Sequence, residues 1–262
     1  MRQRMKLILT LALFVAAFLG GRKGAQLVHA VEVEAEPARL VWIDPGHGGA
    51  DPGKVGVGDV LEKDINLQIA MLLKDELEMR GIQVEMTRTK DQDLAEEGAT
   101  SRKMSDLNNR CKLMNESDAA FTICVHQNSF TDPAVLGAQV FYCSGSEEGA
   151  QMAQLIQDQI RETVDPDNQR ETKENDSYYM LKNTGLPIVI VECGFLSNPE
   201  ETALLSDPEY QKKMAVAIAE GVFAYFEEDK ENNDQQEEVQ ETIKNVAKSS
   251  IKRQLPGFRS VL

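Results

Sequence analysis

Residues 187–192 read PIVIVE, a proline, four consecutive β-branched apolar residues and then a carboxylate. A run with no polar residue to offer water suits a strand buried on both faces, as in a parallel sheet covered by helices. A carboxylate directly after such a strand is costly to bury unless a cation or a catalytic task accompanies it. Glu192 is therefore the first candidate functional residue.

Outward from this strand, four further segments have strand character: RLVWI (39–43), IQVEMT (82–87), FTICV (121–125) and AQVFYC (138–143). Helical patterns alternate with them. Leu61, Ile65, Ile69, Leu72, Leu73 and Leu77 recur at spacings of three and four, and Gly81 is placed to cap that helix in the left-handed region. Met104, Leu107, Cys111 and Met114 follow Ser101, a fitting N-cap, and Met152, Leu155, Ile156 and Ile160 form another face. Asp207-Pro208 opens a last helix with Tyr210, Met214, Ile218 and Tyr225 inward. This alternation predicts an α/β fold, a three-layer α/β/α sandwich around a mostly parallel sheet. Ligands then belong at the carboxyl ends of the strands.

The 262 residues have room for one sizeable core. The formal net charge is −15, which argues against nucleic acid as a partner, since phosphate binding needs a basic face. Residues 1–30 hold Arg2, Arg4, Lys6, Arg22 and Lys23 and no acid, so the remainder is more acidic than the whole. The first three precede an apolar run over residues 7–20, and Val28-His29-Ala30 offers a small-x-small cleavage site. These features predict a signal peptide or signal anchor over residues 1–30, and hence export. An acidic linker follows at 31–38, then a folded domain at 39–227. Residues 228–262 form a polar, charged tail, read as a solvated helix or a flexible segment. The four cysteines match no disulfide framework and read as free thiols.

Two histidines follow predicted strands. His47 lies in DPGHGG (44–49), where three glycines and a proline set a tight turn and keep side chains off the imidazole; His126 lies in VHQN (125–128). Two imidazoles and a carboxylate make a three-ligand site with a position open for water, and a second carboxylate serves as general base. Glu62, at the mouth of the first long helix, is a candidate for that set, although the helix dipole alone favours an acid there. Asp44 is placed either to orient a liganding imidazole or simply to form the turn. The ligand spacing matches no self-contained zinc motif.

At DPGHGG, Glu62 in LEKDINL, Thr87-Arg88, VHQN and ECGFLSN (192–198), residues 39–227 resemble the zinc-dependent N-acetylmuramoyl-L-alanine amidases. These cut the amide joining N-acetylmuramic acid to the stem peptide of peptidoglycan. The resemblance implies a six-stranded sheet, one Zn2+ held by His47, Glu62 and His126, and Glu192 as catalytic base. Gln127 departs from the family's commoner IHAN or IHLN. LAEEGATSRKMSD (94–106), with Arg110 and Asn115, is most similar to the germination-specific, CwlD-type amidases of spore formers. That implies a task on spore cortex, preparing it for muramic-δ-lactam formation and later germination. Arg88 and Arg110 are candidate contacts to the anionic stem peptide or else surface salt-bridge partners, Asn128 is a further candidate substrate contact, and residues 165–176 a candidate mobile rim. No wall-binding repeat is readable, so a membrane tether or an accessory protein is expected to position an acidic enzyme on an anionic wall. The competing readings are a vegetative autolysin with the same chemistry, another exported zinc hydrolase, and a non-catalytic wall-binding protein.

Overall fold

In the computed structural model, which describes residues 39–254, six strands form one sheet in the order β2-β1-β3-β6-β4-β5. They are β1 (Leu40–Pro45), β2 (Gln83–Met86), β3 (Phe121–Asn128), β4 (Gln139–Cys143), β5 (Lys173–Asn175) and β6 (Ile188–Phe195). All neighbours run parallel except β4 against β6, which are antiparallel. The helices are α1 (Glu62–Met79), α2 (Arg102–Asn115), α3 (Glu147–Thr163), α4 (Tyr179–Asn183), α5 (Pro199–Leu205) and α6 (Pro208–Gln254). The expected signal segment and linker, and the tail beyond residue 254, lie outside the described residues; up to Gln254 the tail continues α6. Among the described residues no helix is long and apolar enough to cross a membrane.

Strand residues alternate between the two faces. Val41, Ile43, Phe121, Ile123, Val189 and Val191 pack on one side against α1, α3 and α6, which contribute Ile69, Leu73, Ile156 and Ile218. Trp42, Cys124, Ile188 and Ile190 meet α2 and α4 on the other, through Cys111, Met114, Met180 and Leu181. Continuing the same alternation past the apolar residues places Asp44, His126 and Glu192 on the α2/α4 side. They share the carboxyl ends of three strands.

The predicted caps form as expected. Gly81 adopts φ 84 after α1, Ser101 accepts a hydrogen bond from the Met104 amide, and Asp207 accepts one from the Glu209 amide. Met104, expected on an inward face, is exposed. All four cysteines are free.

β3 and β6 outrun their apolar segments. The ladder continues through His126 opposite Glu192, and the register shifts between His126 and Asn128. Neither residue therefore follows its strand; each lies inside it, because backbone hydrogen bonds rather than apolar side chains set the strand's end. The rim expected at 165–176 instead contains β5, which pairs with β4 at the sheet edge.

Candidate active site

His47 stands in the turn after β1, Glu62 is the first residue of α1, and His126 and Glu192 face each other across β3 and β6. The turn around His47 is unusually close-fitting. A β-carbon on Gly46 would lie 2.2 Å from ring atoms of His126, so only glycine admits that imidazole. His47 itself takes φ 62, a left-handed conformation uncommon for a side-chain-bearing residue.

The first three side chains converge. His47 Nε2 is 3.2 Å from Glu62 Oε2, His126 Nδ1 is 3.0 Å from Glu62 Oε1, and the candidate ligand atoms all lie within 4.8 Å of one another. Glu62 is only 4 % exposed, and its oxygens also accept hydrogen bonds from the backbone amides of Lys54 at 2.7 Å and Gln127 at 3.1 Å. Burial works to raise its pKa, but the hydrogen bonds from His126 and His47 hold it well below the usual carboxylate range. The group is a ready cation site, a carboxylate flanked by two imidazoles.

Glu192 is 7 % exposed, and its Oε2 has no hydrogen-bond partner among the described residues. Burial pushes its pKa up to about 7, against the pull of His126 and with the charge of Glu62 adding to the rise. A cavity of about 380 Å³ opens over all four residues, walled on its apolar side by Leu107, Tyr178, Met180 and Ile190. A buried carboxylate poised near neutrality beside a cation site is what general acid–base chemistry requires.

The model of one family, N-acetylmuramoyl-L-alanine amidase, matches residues 41–224. The chain belongs to this amidase family. It is 41% identical over 193 residues to the germination-specific N-acetylmuramoyl-L-alanine amidase of Bacillus subtilis, covering 72% of this chain and 81% of that one. The N-acetylmuramoyl-L-alanine amidase AmiA of Escherichia coli is 28% identical over 231 residues, covering 72% and 76%. Among solved structures, the CwlD amidase of Clostridioides difficile, in complex with the GerS lipoprotein, aligns with a TM-score of 0.70 at 37% identity, covering 72% of this chain and 98% of that one.

Beneath its cavity the amidase buries two arginines. Arg110, 1 % exposed, donates from Nη1 to Asp44 Oδ1 at 2.7 Å, from Nε to Asp106 Oδ2 at 2.9 Å, and from Nη2 to the His47 carbonyl at 2.7 Å. Thr87 Oγ1 donates to the same Asp44 oxygen at 2.5 Å. Burial works to raise the Asp44 pKa, but the Arg110 guanidinium and the Thr87 hydroxyl bring it below the ordinary value. Asp44 thus holds Arg110 and Thr87, and the expectation that it orients an imidazole is corrected.

Arg88, expected to touch substrate, does not line the cavity. It is 2 % exposed, and its guanidinium donates to the carbonyls of Pro45, Gly46, Lys63 and Lys90. Its role is to hold the turn that carries His47. Asn128 does line the cavity, with its side-chain oxygen accepting from the Ser129 amide. Tyr178 and Tyr179 also line it, the first packed against Phe141. Gln127 donates from Nε2 to Asn66 Oδ1 at 3.1 Å, and Asn66 donates to the Gly46 carbonyl at 3.1 Å. The residue that departs from the common family form thereby joins the backing of Glu62. Asn66 was not singled out in the sequence, and nothing in its helical surroundings marks it.

Proposed function

We propose that this amidase hydrolyses the bond between N-acetylmuramic acid and L-alanine with one zinc ion, on spore cortex, outside the cytoplasmic membrane. The observation that carries the chemistry is the cavity in which His47, Glu62 and His126 converge beside Glu192, whose Oε2 has no hydrogen-bond partner among the described residues. Two imidazole nitrogens and one carboxylate oxygen, open on the cavity side, are the donor set of a hydrolytic zinc site. Zinc bound there supplies Lewis-acid polarisation of the scissile carbonyl and an acidified water.

Glu192 does the proton work. Its carboxylate takes the proton from the attacking water and returns it to the leaving amine of L-alanine, so it ends each cycle as it began. Burial raises its proton affinity above that of an exposed carboxylate. The apolar wall of Leu107, Tyr178, Met180 and Ile190 shields the reacting amide from bulk water, and Asn128 offers the cavity a side-chain amide.

The cortex assignment rests on similarity to the germination-specific amidase of Bacillus subtilis. Export rests on the basic and apolar pattern of residues 1–30. An acidic enzyme on an anionic wall needs positioning, and a membrane tether or an accessory protein supplies it; the CwlD amidase of Clostridioides difficile was solved with a lipoprotein.

Purified cortex and vegetative peptidoglycan, each incubated with the zinc-loaded and the chelator-treated protein, test the proposal. New L-alanine amino groups are expected from cortex, lost on chelation and restored by zinc. Unchanged release after chelation would refute the metal role. Equal turnover of both substrates would favour a vegetative autolysin.

A further inference from the structure

Asp51 lies in the loop between β1 and α1 and was not singled out by its sequence context of glycines and proline. Its Oδ2 is 2.9 Å from His47 Nδ1, and its Oδ1 accepts the Gly53 amide at 3.0 Å. Its own backbone is pinned by a reciprocal pair of hydrogen bonds with Gly48, of 3.0 and 3.1 Å. The carboxylate is therefore oriented from both oxygens and from its main chain. Its side chain is 35% exposed, so it is not part of the core.

The geometry points to Asp51 as a positioning residue for His47, holding the imidazole proton on Nδ1 and turning Nε2, with its lone pair, toward Glu62 and the metal position. The inference rests on the reading of His47 as a metal ligand. A carboxylate on the far nitrogen of a liganding imidazole fixes the tautomer and ring plane and makes the ligand more basic.

The two histidines are held from different elements. His126 sits within a strand, with its ring packed against Gly46, so sterics hold it. His47 projects from a glycine-flanked turn at φ 62, its ring edge-on to His126 with centroids 5.0 Å apart and its Nδ1 held by Asp51. Gly53 belongs to the same device. A β-carbon there would lie 2.5 Å from Glu62 Oε2 and 2.7 Å from His47 Cδ2, so the residue that anchors Asp51 must also stay clear of both ligands.

The test uses the full chain with Asp51→Ala, Asp51→Asn and His47→Ala. Zinc affinity is measured by competition with a chromophoric chelator, the visible spectrum of the cobalt-substituted protein is recorded, and thermal unfolding of the metal-free protein is followed. Asp51→Ala is expected to weaken zinc binding roughly 10- to 100-fold and to change the cobalt bands while leaving metal-free unfolding as in the wild type. Asp51→Asn, which keeps one acceptor oxygen, is expected between Asp51→Ala and the wild type, and His47→Ala is expected to bind weakest. Wild-type affinity in Asp51→Ala with weakened binding in His47→Ala would overturn this inference alone. Wild-type affinity in His47→Ala would overturn the metal-site reading beneath it. Parallel loss of metal-free stability in both Asp51 variants would reduce Asp51 to a loop strut and also overturn the inference.

Discussion

Asp44 and Glu192 are both acids near the carboxyl ends of strands, on the same face of the sheet, and both are almost sealed from water at 1 % and 7 % exposure. Their electrostatics nevertheless diverge. Asp44 receives the Arg110 guanidinium and the Thr87 hydroxyl and is held below the ordinary carboxylate pKa, whereas Glu192 leaves an oxygen without a partner and rises to about 7. Burial is shared, so the difference comes from the partners. A buried acid matched by a cation becomes part of the frame, while one left unmatched is available to carry a proton.

The strongest test of this contrast is Glu192→Gln. Proton transfer should disappear, lowering turnover by roughly 10²- to 10⁴-fold while zinc content stays at wild-type level. Release of L-alanine amino groups and elemental analysis check both halves, and retained turnover would erase the distinction. On the other side, Arg110→Met strips Asp44 of its cation. A fall of about 3–5 kcal/mol in urea-unfolding stability is expected, the usual cost of leaving a buried charge unpaired.

The two acids should also oppose each other in the pH dependence of metal-free stability. Asp44, with its folded pKa depressed, contributes stability above the ordinary value near about 3.9, lost as pH falls through the folded pKa. Glu192, with its folded pKa raised, favours the folded state most below about 4.3, and that advantage is lost as pH rises through about 7. Urea midpoints from pH 3 to 9 should therefore show Glu192→Gln gaining on the wild type at alkaline pH, on the order of 3 kcal/mol, with the difference vanishing in acid. Asp44→Asn should lose the wild-type slope on the acid side. The smallest expected effect is Thr87→Val, which removes the second donor to Asp44 and should cost roughly 1.5–3 kcal/mol. No loss there would show that Arg110 alone sets the Asp44 environment.

The legible elements were those whose own residues carry the reason for their conformation. β1, β3 and β6 are apolar on both faces, and α1 shows its buried stripe and its glycine cap within one segment. β5 has no apolar residue, since Lys173, Glu174 and Asn175 form a strand only by pairing with β4. α5 was not read from the sequence: at seven residues it lacks a periodic face, and Asn198, which accepts from two amides ahead of Pro199, supplies only its start. Arg88 and Arg110 read as substrate contacts or surface salt-bridge partners, because charge is normally exposed. Their carbonyl partners come from segments up to 65 residues away.

By itself, the sequence determined the class of fold, the strand ends where chemistry belongs, and, through its resemblance, the family. Periodicity and local glycine chemistry suffice for the first two. Only the tertiary structure decided which carboxylates are matched. Asp44 found Arg110 and Glu192 remained without a partner, because pairing at 3 Å depends on how β1, β3, β6 and α2 pack together. No spacing along the chain encodes those distances.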